Sequence, residues 1–157
     1  MKFDFKKKYI LENEYIKIRS LEHSDFDKII QYTMNEIKVL IYDFKGTNRS
    51  ENLKEYIENA LLNRKKENEY SFIIFNKIKN KFVGFTSFYG YEKQKNKIKI
   101  GHTFFDDSAT KDETNKNCKY LMLDFAFEKF EINNVEFIAN NLNKKSLDEM
   151  KRSGLIA

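Results

Sequence analysis

The chain has 157 residues, 41% hydrophobic and 34% charged, a make-up that fits one folded domain and excludes a disordered polypeptide. Its formal charge of +5, from 29 Lys and Arg against 24 Asp and Glu, is spread along the whole length among acids, so no basic stripe marks a nucleic-acid partner. No run approaches the roughly 20 apolar residues of a spanning helix, no apolar segment follows the basic residues 1–9, and the one cysteine, Cys118, precludes an intrachain disulfide, so the expectation is a cytoplasmic chain with no membrane partner.

Residues 14–21 alternate Tyr15, Lys17 and Arg19 with Ile16, Ile18 and Ser20, the period of a strand. Ser24 and Asp25 then supply an N-cap for a helix on which Phe26, Ile29, Ile30 and Thr33 recur at helical spacing. Residues 36–48 form a less regular connection. Ser50 caps a second helix whose Leu53, Tyr56, Ile57, Ala60 and Leu61 make one amphipathic face. Strands are predicted at 70–75 and 81–91 across a polar turn, the first apolar on both faces as in a covered sheet. A second polar turn at 93–96 leads to a strand at 97–105. Residues 115–130 predict a helix apolar almost all round, and therefore the most buried. A strand at 134–140 and a short helix at 143–153, ended by Gly154, complete the pattern.

This order predicts one α/β (α+β) domain over residues 1–157, a mixed, mostly antiparallel sheet with helices on both faces. The strand–helix–strand run across 97–140 implies a parallel pair.

Three stretches carry a family likeness: LENEYIKIRSL at 11–21, IKIGHTFF at 98–105, and the segment from Asn115 to Gly154, with KYLMLDFAFE at 119–128 and Asn143-Lys144-Lys145-Ser146. With the element order, they resemble the GNAT superfamily of N-acetyltransferases, above all its subgroup acting on ribosomal-protein N-termini. The resemblance implies an acyl-CoA N-acyltransferase-like fold, here truncated after the last helix with the C-terminal strands missing. It implies acetyl-CoA as co-substrate and an amine acceptor, either a protein N-terminus or a small molecule. The pyrophosphate is expected at the 110–116 loop and the following helix N-terminus, on Lys111, Thr114, Asn115 and Lys116. The pantetheine arm would add like a strand where 97–105 and 134–140 splay apart, with an amide at Phe104 or Phe105 polarising the thioester carbonyl. Asn143 would bind the arm and Ser146 protonate the departing thiolate. Asp43, grouped with Tyr42, Phe44, Phe88 and Tyr89 at an acceptor cleft, would be the amine-orienting base.

The chain departs from that family in three places. The usual glycine-rich cofactor loop is Thr110-Lys111-Asp112-Glu113-Thr114-Asn115, without the glycines that let a backbone approach a phosphate. Lys99 stands where relatives usually have a glutamate. An end soon after Gly154 predicts that 134–140 is an unpaired edge, covered by a second copy in a homodimer. The alternative is a catalytically degenerate GNAT-like domain used as a binding or dimerisation module. His102 falls on the face of Ile98, Ile100 and Phe104 and is expected in the core; Cys118 is read as a packing residue, and no spacing suits a metal.

Overall fold

The structure, a computed structural model, describes residues 3–33, 49–105, 114–136 and 141–143. Its strands form one seven-stranded sheet in sequence order: β1 (Ile10–Glu12), β2 (Ile16–Ser20), β3 (Glu69–Asn76), β4 (Lys81–Glu92), β5 (Lys97–Phe105), β6 (Asn134–Glu136) and β7 (Asn141–Asn143). Neighbours are antiparallel throughout except β5 and β6, the parallel pair expected from the crossover. The helices are α1 (Asp25–Thr33), α2 (Arg49–Lys65) and α3 (Thr114–Asp124), the last widening into a π-helical turn over Phe125–Lys129.

The doubly apolar β3 explains the layering. Tyr70, Phe72 and Ile74 point into a core with Phe88, Ile98, Ile100, Met122, Leu123 and Phe127, under α3. Ile73 points the other way, into a second core with Ile29, Leu53, Ile57 and Phe85, under α1 and α2. Helices thus cover both faces, as the mixed-sheet reading requires. At the start of α1 the Asp25 carboxylate is fully buried, which is tolerable because Arg19 pairs with it and the Glu22 amide donates to it. The basic N-terminal segment is anchored by Phe3, whose ring meets Tyr70, Phe88 and Phe130 edge-on.

Three expectations are corrected. The chain before residue 14 holds a strand, β1, whose Leu11 alone is buried, a signal too short to show as alternation. The strand expected at 134–140 is described only as Asn134–Glu136, and residues 137–140 lie outside the described residues. Asn143, expected to open a helix, is the last residue of β7 and pairs with Asn134. The physical reason is shared: the outer edge of β6 needs backbone partners, and Asn141-Leu142-Asn143 supply them. Over Asn134–Glu136, the edge on which the homodimer was expected is paired with β7 of the same chain.

Candidate active site

Among the described residues, β5 and β6 pair at Lys97↔Asn134, Ile98↔Val135 and Lys99↔Glu136. Glu136 also pairs with Asn141 of β7, and β5 runs on from Ile100 to Phe105, roughly 20 Å of strand at about 3.3 Å per residue. Phe104 and Phe105 sit at its tip, paired with Phe85 and Gly84 of β4. Residues on a strand alternate between bonding one neighbour and the other, so one of these two amides faces away from β4.

The described β5–β6 pairs are also bridged by charge. Lys97 and Glu136 lie 2.7 Å apart across the parallel strands. Hydrogen bonding to Glu136 raises the Lys97 pKa, and the same bond lowers that of Glu136.

Just past Lys99, β5 carries a bulge. Phe85 pairs with Phe104 and Ser87 with Gly101, so His102 and Thr103 together oppose Thr86, and His102 adopts φ +49°. The extra residue breaks the alternation that would place His102 beside Ile100. Its ring emerges instead on the α2 side of the sheet, where the side chain is 51% exposed. This corrects the core-histidine reading. Gly101 makes the arrangement possible: a Cβ there would come within 3.0 Å of the Tyr89 ring, which lies across it. His102 stacks on that same Tyr89 ring at 4.3 Å and 20°. His102 Nδ1 and Glu69 Oε1 lie 2.6 Å apart, a hydrogen bond in which the nitrogen donates when it carries the ring proton.

Polar groups continue under α2. Ser71 and Ser87 are both buried and their hydroxyls lie 3.1 Å apart. Tyr56 of α2 packs on Phe85 at 4.8 Å and hydrogen-bonds Ser71. Burial raises its phenol pKa strongly, helped by the nearby Glu69 and only partly opposed by Ser71, so it stays protonated. The opposite face of the sheet is different. There Thr86 and Thr103 hydroxyls meet at 2.9 Å, and burial pushes the Cys118 thiol up to about 12, which agrees with a packing role and leaves no thiolate at neutral pH.

At the start of α3, Thr114 is buried while Asn115 and Lys116 are exposed. Asn117, also buried, accepts a hydrogen bond from Asn13 at 3.0 Å. A cavity of about 190 Å³ adjoins this end, between Thr114, Asn117, Asn76 and Tyr15. The structure therefore brings Thr114, Asn115 and Lys116 together, and separately places Phe104 and Phe105 at the β5 tip. Asn143 pairs with Asn134, the first residue of β6, at the end away from the β5 tip. Asp43, Lys111 and Ser146 lie outside the described residues. Sequence reading missed Glu69, Tyr56 and the outward turn of His102; a glycine directly before a polar residue in mid-strand was the available signal of a bulge. Among the described residues, no group of three His, Cys, Asp or Glu side chains could hold a metal.

Comparison with known proteins agrees with this geometry. The profile of the acetyltransferase (GNAT) domain matches residues 16–156. No curated protein sequence matches the chain. Among solved structures, the chain is similar to FdhC, a nucleotide-linked sugar GNAT, with a TM-score of 0.70 at 18% identity, covering 94% of this chain and 97% of that one. It is similar to a GCN5-related N-acetyltransferase from Brucella melitensis, with a TM-score of 0.69 at 14% identity over 94% and 67% of the two chains. A third likeness is to RimL, a ribosomal L7/L12 alpha-N-protein acetyltransferase, with a TM-score of 0.63 at 17% identity over 92% and 79%. At these identities the structures speak for the fold, and the profile, which spans nearly the whole sequence, for the family: the chain belongs to the GNAT acetyltransferases.

Proposed function

We propose that the protein is an N-acetyltransferase that uses acetyl-CoA to acetylate an amine, either a protein N-terminus or a small molecule. The observation that carries this reading is the match of residues 16–156 to this family, with β5 running on past Lys99↔Glu136, the last described pair with β6, where the reading places an opening for the arm. An exposed length of strand backbone suits an extended, amide-bearing arm, which can add to it as another strand does. Acetyl-CoA supplies the thioester carbonyl at which transfer occurs. The amide at Phe104 or Phe105 that faces the opening donates to that oxygen, where negative charge develops. Thr114, Asn115 and Lys116, with Lys111, take the pyrophosphate end. Ser146 returns a proton to the thiolate, and Asp43 orients the amine.

Isothermal titration of acetyl-CoA into the full chain tests this. Saturable heat is expected below about 1 mM, the upper end of usual substrate affinities. No heat at that concentration would overturn the transferase reading.

A further inference from the structure

The amine acceptor of an acetyl transfer is an ammonium at neutral pH and must lose a proton before its nitrogen can attack. The groups beside the opening differ sharply in their ability to take it. Lys99 Nζ, 5.9 Å from the centre of the Tyr89 ring, is a donor without a lone pair in its charged form. Tyr56 is held protonated by burial. Cys118 is buried on the far face of the sheet. His102 stands apart. It lies on β5 past Lys99, half exposed, with one ring nitrogen hydrogen-bonded to a carboxylate and its ring held flat against Tyr89.

We propose that His102 is the general base of this site and Glu69 its positioning residue. The assignment rests on the transferase reading above. Glu69 accepts from Nδ1–H and so fixes the neutral tautomer, leaving the Nε2 lone pair at the edge of the ring away from Glu69. The bulge is what aims the ring: without φ +49° at His102 the imidazole would point into the core under α3. The proton passes from the acceptor ammonium to Nε2. The neutral nitrogen then forms the C–N bond as the C–S bond breaks and the sulfur leaves with the electron pair. The second nitrogen-bound proton goes to that sulfur, and the imidazolium releases its own to solvent. Among the described residues, the charged and titratable groups facing this ring are Glu69 from β3, Tyr89 from β4, Lys99 from β5 and, beyond Glu69, Tyr56 from α2.

The ring is read first, in the free protein, by nitrogen NMR of labelled histidine. The neutral His102 ring should carry its proton on Nδ1, and Glu69→Ala should shift it toward the Nε2–H tautomer. A neutral wild-type ring protonated on Nε2 overturns the proposal without any activity being measured. The second arm uses His102→Gly, because glycine adopts positive φ freely and keeps the bulge. With a seryl peptide and spermidine as probes, kcat/KM should fall about 10²–10⁴-fold, acetyl-CoA titration heats should be unchanged, and added imidazole should restore part of the rate. A variant within about twofold of wild type overturns the base assignment alone, as does a loss that imidazole leaves untouched. Missing acetyl-CoA heat in the wild-type protein overturns the transferase reading beneath it.

Discussion

The β3–β4 ladder and the β5–β6 ladder flank the same pair of strands, yet they are built for different ends. β3 is paired with β4 along its whole length, from Glu69↔Tyr89 to Asn76↔Lys81, and Phe72, Ile73 and Ile74 are fully buried between two helical layers. Of β5, Lys97 to Lys99 are described as paired with β6, and the strand continues to Phe105. Both ladders of β4 carry irregularities: Val83 is an extra residue between Ile74↔Gly84 and Phe75↔Phe82, while β4–β5 has the bulge at His102 and a second register shift between Tyr89 and Glu92 at Gly90, where φ is +60°. In β3–β4 the extra residue is apolar and buried, and the ladder serves stability. In β4–β5 the bulge turns a polar side chain outward, where it is available for chemistry, and that availability rests on the neighbouring ladder being rigid.

The largest expected effect breaks the closed half. Phe72 is 0% exposed and packs against the rings of Tyr70 at 4.8 Å and Phe88 at 5.7 Å. Phe72→Ala removes that ring and leaves a cavity, for a loss of about 3–5 kcal/mol. Against the roughly 5–15 kcal/mol of a typical domain, this takes much of the stability. Urea unfolding should show a large fall in midpoint, and a change under about 1 kcal/mol would show that β3 is not the rigid member.

An intermediate effect separates stability from site geometry. In Gly101→Ala the new methyl meets Tyr89 Cε1 at 3.0 Å and its hydroxyl at 3.1 Å. Tyr89 is only part-buried and can move aside, so stability should fall by about 1 kcal/mol, at the low end of overpacking. The stack that holds His102 moves with it. Acetyl transfer should therefore drop by more than the stability change accounts for, while acetyl-CoA titration heats persist. Equal losses in wild-type-like proportion would mean that the Tyr89 stack does not orient the site.

This division also separates what the sequence announces from what it hides. The 97–105 strand, the 81–91 strand and the 115–130 helix are legible because each obeys one uninterrupted periodicity over many residues. His102 is misread for the same reason: parity counting assigns it to the Ile98 and Ile100 face, and one extra residue in the strand reverses that assignment. Glu69 lies at the very first position of β3, one residue before the apolar run that marks the strand, and nothing in its neighbours points to a histidine 33 residues away. The short β6 and β7 carry one central apolar residue each, Val135 and Leu142, so pairing rather than pattern decides their form.

The smallest effect concerns the point where the two regimes meet. Lys97 and Glu136 bridge β5 and β6 at the closed end of the opening, and each shifts the other's pKa toward its charged form. The lowered Glu136 pKa means that its contribution is complete above the usual carboxylate range and is lost as pH falls through the folded-state value. The raised Lys97 pKa means that its contribution is complete below the usual lysine range and is lost as pH rises through its own folded value. Both are present at neutral pH. Glu136→Gln should lower Tm slightly at pH 7, and the gap from wild type should close on acidification and shrink in high salt, since the pair faces solvent. A gap that survives at pH 3 would assign the effect to packing rather than charge. The pairs at Lys97, Ile98 and Lys99 would then hold the two strands together by hydrogen bonds alone, and the opening would begin where the ladder ends, with no ionic clasp to set it.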